Sequence, residues 1–166
     1  MEKGDDMKIF DASEILKIAI KIEEKGEAFY TYASRITKDE KISKIFQFLA
    51  EAEVKHRIAF EKMSSTLDEF TPPEAYPGEY QAYLAAYLDN VIFPKENWDE
   101  IFADMKDVFS TINFGIRIEL DSILFYHEGK RFVSKFHQET IDHIIEEERQ
   151  HFLKLLDIKK MERSRV

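Results

Sequence analysis

Apolar residues recur at helical spacing along most of the chain, with polar positions between them. The first run follows Asp11, which can act as N-cap with Glu14 three residues on, and Phe10 and Ile15 fit a hydrophobic staple. The pattern predicts a helix over about 12–36. A capping box from Thr37 to Glu40 opens a second helix over about 38–63. Pro72, Pro73, Pro77 and Gly78 then forbid a continuous helix. YQAYLAAYLDNVIF (80–93) reads as a short helix before Pro94, with Tyr80, Tyr83 and Tyr87 as its packing stripe. A third long helix is expected over about 107–128, with an earlier start offered by Asn97 and Glu100, and Gly129 is placed to end it. A fourth is expected over about 135–158. No alternating pattern competes for strands.

Four helices of this length would each span about 33–40 Å. The first two, and the last two, are joined by only a few residues, which forces antiparallel hairpins. The connection over about 64–106 is long enough to travel the length of the bundle, so the second and third helices can run parallel. The expectation is one all-α domain, 1–166: a four-helix bundle of two hairpins joined by one long crossover that contains a short helix.

The two hairpins repeat one another. AIKIEEKGEAFY (19–30) aligns with GIRIELDSILFY (115–126), which pairs Glu23 with Glu119 and Tyr30 with Tyr126. LAEAEVKHRIAF (49–60) aligns with IIEEERQHFLKL (144–155), which pairs Glu53 with Glu148 and His56 with His151. Each hairpin thus carries a Glu on its first helix and E-x-x-H on its second. One E-x-x-H in a Glu-rich chain is unremarkable, but two in matching register, each following a Glu with Tyr seven residues on, are not accidental.

Residues three apart project from one side of a helix, so the Glu and His of E-x-x-H can serve the same cation or adjacent ones. Two such helices plus one Glu from each of the others make four carboxylates and two imidazoles, the donor set of a di-iron or di-manganese site in a bundle. Four buried carboxylates without cations would repel one another strongly. Two divalent cations would neutralise them and move the chain's formal charge from −9 to −5. The chain has no cysteine, so thiolate metal sites and disulfides are excluded and any metal must be held by oxygen and nitrogen.

The remaining composition narrows the field. With 44% hydrophobic and 34% charged residues the chain is globular, and its acidic balance disfavours nucleic acid or an anionic membrane as partner. No apolar run is long enough to cross a membrane, and the N-terminal stretch lacks the apolar core of a signal peptide. A cytoplasmic location is the expectation.

Ala19, Glu23 and the Phe29–Tyr30 pair, together with the two E-x-x-H helices, resemble the rubrerythrin branch of the ferritin-like superfamily over about 12–158. The resemblance implies the ligands Glu23, Glu53, His56, Glu119, Glu148 and His151, and two iron ions, with manganese or mixed pairs as alternatives. It implies reduction of peroxide or dioxygen, and a homodimer. Rubrerythrins proper carry a Cys-ligated iron domain that this chain lacks, so electrons would come from a separate donor protein. They also carry an extra Glu one turn after the third-helix ligand; here that position is Ser122, and its repeat mate is Gly26. The resulting six-residue set is nearer that of bacterioferritin, which opens an alternative: a ferroxidase or iron-handling protein without peroxide turnover. A third reading, a bundle acting only through partners, leaves the six polar face residues unexplained.

Tyr30 and Tyr126 lie two turns from Glu23 and Glu119 on the same face, placed to donate to those carboxylates. Glu27 lies one turn past Glu23 and is an outside candidate for an additional ligand. Glu24, Glu51 and Glu146 point toward solvent, and His127, His137 and His143, with no matched acid, read as surface or core histidines.

Overall fold

The computed structural model describes residues 10–67, 78–92, 98–103, 105 and 107–165. Its long helices are α1 (Ala12–Ile36), α2 (Glu40–Ser65), α5 (Val108–Gly129) and α6 (Lys135–Arg163). The crossover carries α3 (Gly78–Tyr87), which continues as a π turn over Leu88–Ile92, and α4 (Trp98–Ala103). No strand occurs among the described residues.

Three of the four long helices, α1, α2 and α5, start at aspartates. Asp11 caps α1 by accepting from the Glu14 amide at 2.8 Å, and Phe10 and Ile15 sit in one apolar cluster as a staple requires. The expected box at Thr37 and Glu40 does not form. Thr37 stays with α1, its hydroxyl and amide both donating to the Ala33 carbonyl. Asp39 caps α2 instead, accepting from the amides of Lys41 and Ile42 at 2.9 and 3.0 Å. An ionised carboxylate can take two orphan N–H groups at once, and a hydroxyl committed to the preceding helix cannot. Asp107 and Ser110 form a reciprocal capping box that starts α5 at Val108. Asn97, and Pro72, Pro73, Pro77 and Pro94, lie outside the described residues.

Gly129 does not stop α5 by a left-handed turn. Its φ is −62° and the chain continues as one 3-10 turn over Lys130–Phe132. A Cβ there would stand 2.9 Å from Ile15 Cγ2, so the position needs glycine for the close approach of α1. α6 runs to Arg163, further than its apolar pattern alone predicts.

α1 packs along α2 and α5 along α6, and the hairpins meet where α1 touches α5 and α2 touches α6. Tyr30 bonds to Glu119, and Tyr126 to Glu23, so α1 and α5 run antiparallel. Since α1 is antiparallel to both α2 and α5, those two run parallel, which is why a long crossover joins them. Among the described residues the crossover packs through Leu84, Tyr87, Leu88 and Ile92, so of the expected tyrosine stripe Tyr87 is buried. Tyr83 is 46% exposed, and the Tyr80 side chain is outside the described set. Tyr87 donates to the Asp121 carbonyl at 2.9 Å and Lys25 to the Ile92 carbonyl at 2.6 Å, which ties the π turn to both hairpins.

Two apolar clusters fill the bundle. One gathers Ile15, Leu16, Ile22, Phe60, Phe125, Tyr126 and Ile144, and the other Phe29, Tyr30, Phe46, Leu49, Ile112 and Leu155. Between them lies a polar layer.

Candidate metal centre

That layer consists of the six residues singled out by the repeat. Glu23 on α1, Glu53 and His56 on α2, Glu119 on α5, and Glu148 and His151 on α6 are all at most 4% exposed. Their donor atoms form two overlapping groups, each within 4.8 Å: Glu23, Glu53, His56 and Glu148, and Glu53, Glu119, Glu148 and His151. Glu53 and Glu148, the two E-x-x-H glutamates, belong to both groups. Glu23 with His56, and Glu119 with His151, belong to one each.

Both imidazoles turn Nδ1 inward. His56 Nδ1 lies 3.1 Å from Glu148 Oε1 and 3.6 Å from Glu23 Oε2. His151 Nδ1 lies 2.8 Å from Glu148 Oε2, with Glu119 Oε1 at 3.8 Å and Glu53 Oε1 at 3.9 Å. The two rings stand 5.5 Å apart and nearly parallel.

The two repeat-related tyrosines bond across the hairpins. Tyr30 donates to Glu119 Oε1, and Tyr126 donates to Glu23 Oε1. Each hairpin's phenol therefore holds the other hairpin's first-helix carboxylate. Burial, reinforced by these carboxylates, raises both phenols well above their usual range, so they remain protonated donors.

The electrostatics show what the layer lacks. Burial, then the charges of neighbouring glutamates, raises Glu53 and Glu119 well above the usual carboxylate range. Burial would raise Glu148 too, but hydrogen bonds from His151 and His56 hold it below that range. Burial would lower His56, yet bonding to Glu148 and Glu23 outweighs it and pushes the group up to about 11. Protons thus do the neutralising. Even so, Glu23 Oε2 and Glu53 Oε1 are buried with no hydrogen-bond partner. Buried acceptors are ordinarily satisfied. Hard carboxylate oxygens with imidazole nitrogens, two of the oxygens orphaned, fit a divalent cation of the iron or manganese kind.

Around this layer the other candidates sort clearly. Glu27 is outside it, half-exposed and 3.5 Å from Arg57. Glu24, Glu51 and Glu146 are exposed, as are His127 and His143. His137 is buried far along the bundle, with Nε2 3.3 Å from the Thr66 hydroxyl. Ser122 is buried and Gly26 is closely packed: a Cβ at Gly26 would stand 2.7 Å from Glu53 Oε2.

Sequence reasoning missed Glu147. Its Oε2 lies 2.7 Å from His56 Nε2, although its side chain is 62% exposed. The repeat hid it, because its mate at the same offset is Ala52. The signal available was its place beside Glu148.

A four-helix bundle with one long crossover and a mid-bundle layer of carboxylates and imidazoles defines a ferritin-like protein with a metal site. Within that class, the rubrerythrin family model matches residues 14–159, and the chain belongs to the rubrerythrin family. It is also similar to a Thermotoga maritima protein of known crystal structure, described as a candidate ferritin-like diiron-carboxylate protein. The two are 28% identical, with 91% of this chain and 95% of that one covered and a TM-score of 0.67. No curated protein matches. No described helix is long and apolar enough to cross a membrane.

Proposed function

We propose that this chain is a di-iron carboxylate oxidoreductase that reduces peroxide or dioxygen with electrons from a separate donor protein. The observation that carries the proposal is the pair of overlapping donor groups sharing Glu53 and Glu148. A carboxylate has two oxygens and can bridge two cations, whereas an imidazole serves one. In this reading Glu23 and His56 would hold one ion and Glu119 and His151 the other, with Glu53 and Glu148 available to both. Two Fe(II) ions would supply the two electrons that, with two protons, convert hydrogen peroxide to two waters. The protein's own part is positioning. Tyr30 and Tyr126 orient the terminal carboxylates, and the apolar clusters above and below exclude bulk water. Manganese or a mixed pair would use the same donors. A cytoplasmic homodimer belongs to the same proposal, and light scattering separates a dimer from a closed storage shell.

One observation favours a second reading. Ser122 and Gly26 stand where a further carboxylate would make the set unsymmetrical, and the six donors that remain suit ferroxidase chemistry without peroxide turnover. The test is anaerobic reconstitution with Fe(II), elemental analysis, and the absorbance change on adding peroxide and, separately, dioxygen. Two irons per chain oxidised faster by peroxide support the peroxidase. Faster oxidation by dioxygen supports the ferroxidase. Fewer than two metals per chain of any kind overturns both.

A further inference from the structure

The two histidines are repeat mates and both turn Nδ1 into the cluster, but their outer nitrogens differ. His56 Nε2 meets Glu147 Oε2 at 2.7 Å across the hairpin interface. The matching place on α2 is Ala52, and His151 Nε2 has no hydrogen-bond partner among the described residues. Instead the Phe48 ring stands edge-on to His151 at 6.3 Å.

The other donors are matched between the two halves. Glu53 and Glu148 belong to both groups, so they favour neither. Glu23 and Glu119 each accept from a tyrosine of the opposite hairpin. Gly26 and Ser122 also differ, but Gly26 abuts the shared Glu53 and so weights both groups. Among the hydrogen bonds made to the two imidazoles from outside the cluster, the difference between the halves is the carboxylate behind His56. An imidazole that ligates through Nδ1 carries its proton on Nε2, and a carboxylate accepting that proton fixes the tautomer, holds the ring plane and makes Nδ1 a better donor.

We propose that Glu147 is a positioning residue that makes the two cation positions unequal, so that the position built on Glu23 and His56 fills before the one built on Glu119 and His151. The inference rests on the two-ion reading above. Glu147 touches no reacting atom and acts only through His56. Its exposure also means that it can be changed without opening the core.

The test is anaerobic titration with Co(II), a redox-stable probe, followed by its ligand-field absorption and by calorimetry. Mutual repulsion makes a second ion weaker in any such site, so variants assign the steps. His56→Ala should weaken the first step, whereas His151→Ala should spare it and remove the second. Glu147→Gln should weaken the first step by about 10–100-fold, the usual effect of losing such an outer partner, with unchanged helicity and melting of the metal-free protein. The reciprocal Ala52→Glu supplies His151 with the missing acceptor and should strengthen the second step. Should Ala52→Glu fail to fold, Glu147→Asp replaces it, and an affinity between those of wild type and Glu147→Gln is expected. The proposal is overturned if Glu147→Gln leaves the first step unmoved, or if His56→Ala and His151→Ala weaken it equally. A wild type that binds fewer than two Co(II) overturns the two-ion reading itself, a result distinct from either.

Discussion

Replacing Glu53 by glutamine should stabilise the metal-free protein while destroying its response to metal. Glu53 is 3% exposed, its Oε1 has no partner, and the neighbouring Glu23 Oε2 has none either. A glutamine removes one of four crowded carboxyl groups at nearly constant volume, and its amide can donate to the orphaned oxygen. An unsatisfied buried polar atom costs about 1–3 kcal/mol, so relief of one should raise the unfolding free energy of the metal-free protein by about that amount. The loaded protein should behave oppositely. Ligand present at a hundred times its dissociation constant stabilises the wild type by about 2.7 kcal/mol. Glu53 belongs to both donor groups, so the variant should forfeit most of this gain. Urea unfolding followed by far-ultraviolet circular dichroism, once with a chelator and once with saturating Mn(II), reads both numbers. The order of stabilities should invert between the two conditions. A metal-free variant no more stable than wild type would refute the reasoning, because the layer would then be self-sufficient without a cation.

Four further outcomes follow from the same structure. The metal-free protein should lose stability as pH rises from about 6.5 toward 11, because His56 is raised in the fold and its bound proton stabilises the native state only below that range; the slope is at most about 1.4 kcal/mol per pH unit per proton, and a flat urea-midpoint profile would contradict it. Metal binding displaces protons, so Co(II) affinity should instead increase over the same interval, as isothermal titration in two buffers would show. Gly26→Ala should push Glu53 aside, with its Cβ 2.7 Å from Oε2, and weaken metal binding with little loss of helix content. Asp39→Ala should cost about 0.5–2 kcal/mol by removing the α2 cap, read from the urea midpoint; an unchanged midpoint would return the cap to another residue.

Much of this molecule is readable from the chain because its two strongest signals are periodic. The 3.6-residue apolar stripe locates all four long helices, and the doubled Glu and E-x-x-H register selects the six residues that share the buried layer. Other features depend on distances between helices, which spacing along one helix does not contain. That Glu53 and Glu148 are the shared carboxylates is one of these, and the crossed Tyr30–Glu119 and Tyr126–Glu23 bonds are another. Asp39 is hidden as a cap in the sequence because Thr37, two residues earlier, satisfies the same pattern, and only the hydroxyl's bond to Ala33 decides between them. Gly129 reads as a helix stop, yet its glycine is demanded by Ile15 on a helix more than a hundred residues away. Glu147 is invisible in the repeat because its mate in the other half is Ala52.

The crossed bonding has a consequence for assembly. Each donor group takes three residues from one hairpin and borrows the fourth, Glu148 or Glu53, from the other, just as each phenol serves the opposite carboxylate. Neither hairpin can complete a site alone. Helical hairpins are local structures and close quickly, but the surfaces they must join here bury four carboxyl groups that, without a cation, only bound protons and the two histidines neutralise. The seam between α1–α2 and α5–α6 should therefore be the last part of the native protein to set and the first to open, with hydrogen exchange across it slowing sharply on metal uptake. The ions that serve the chemistry would also be the clasp that holds the two halves of the chain together.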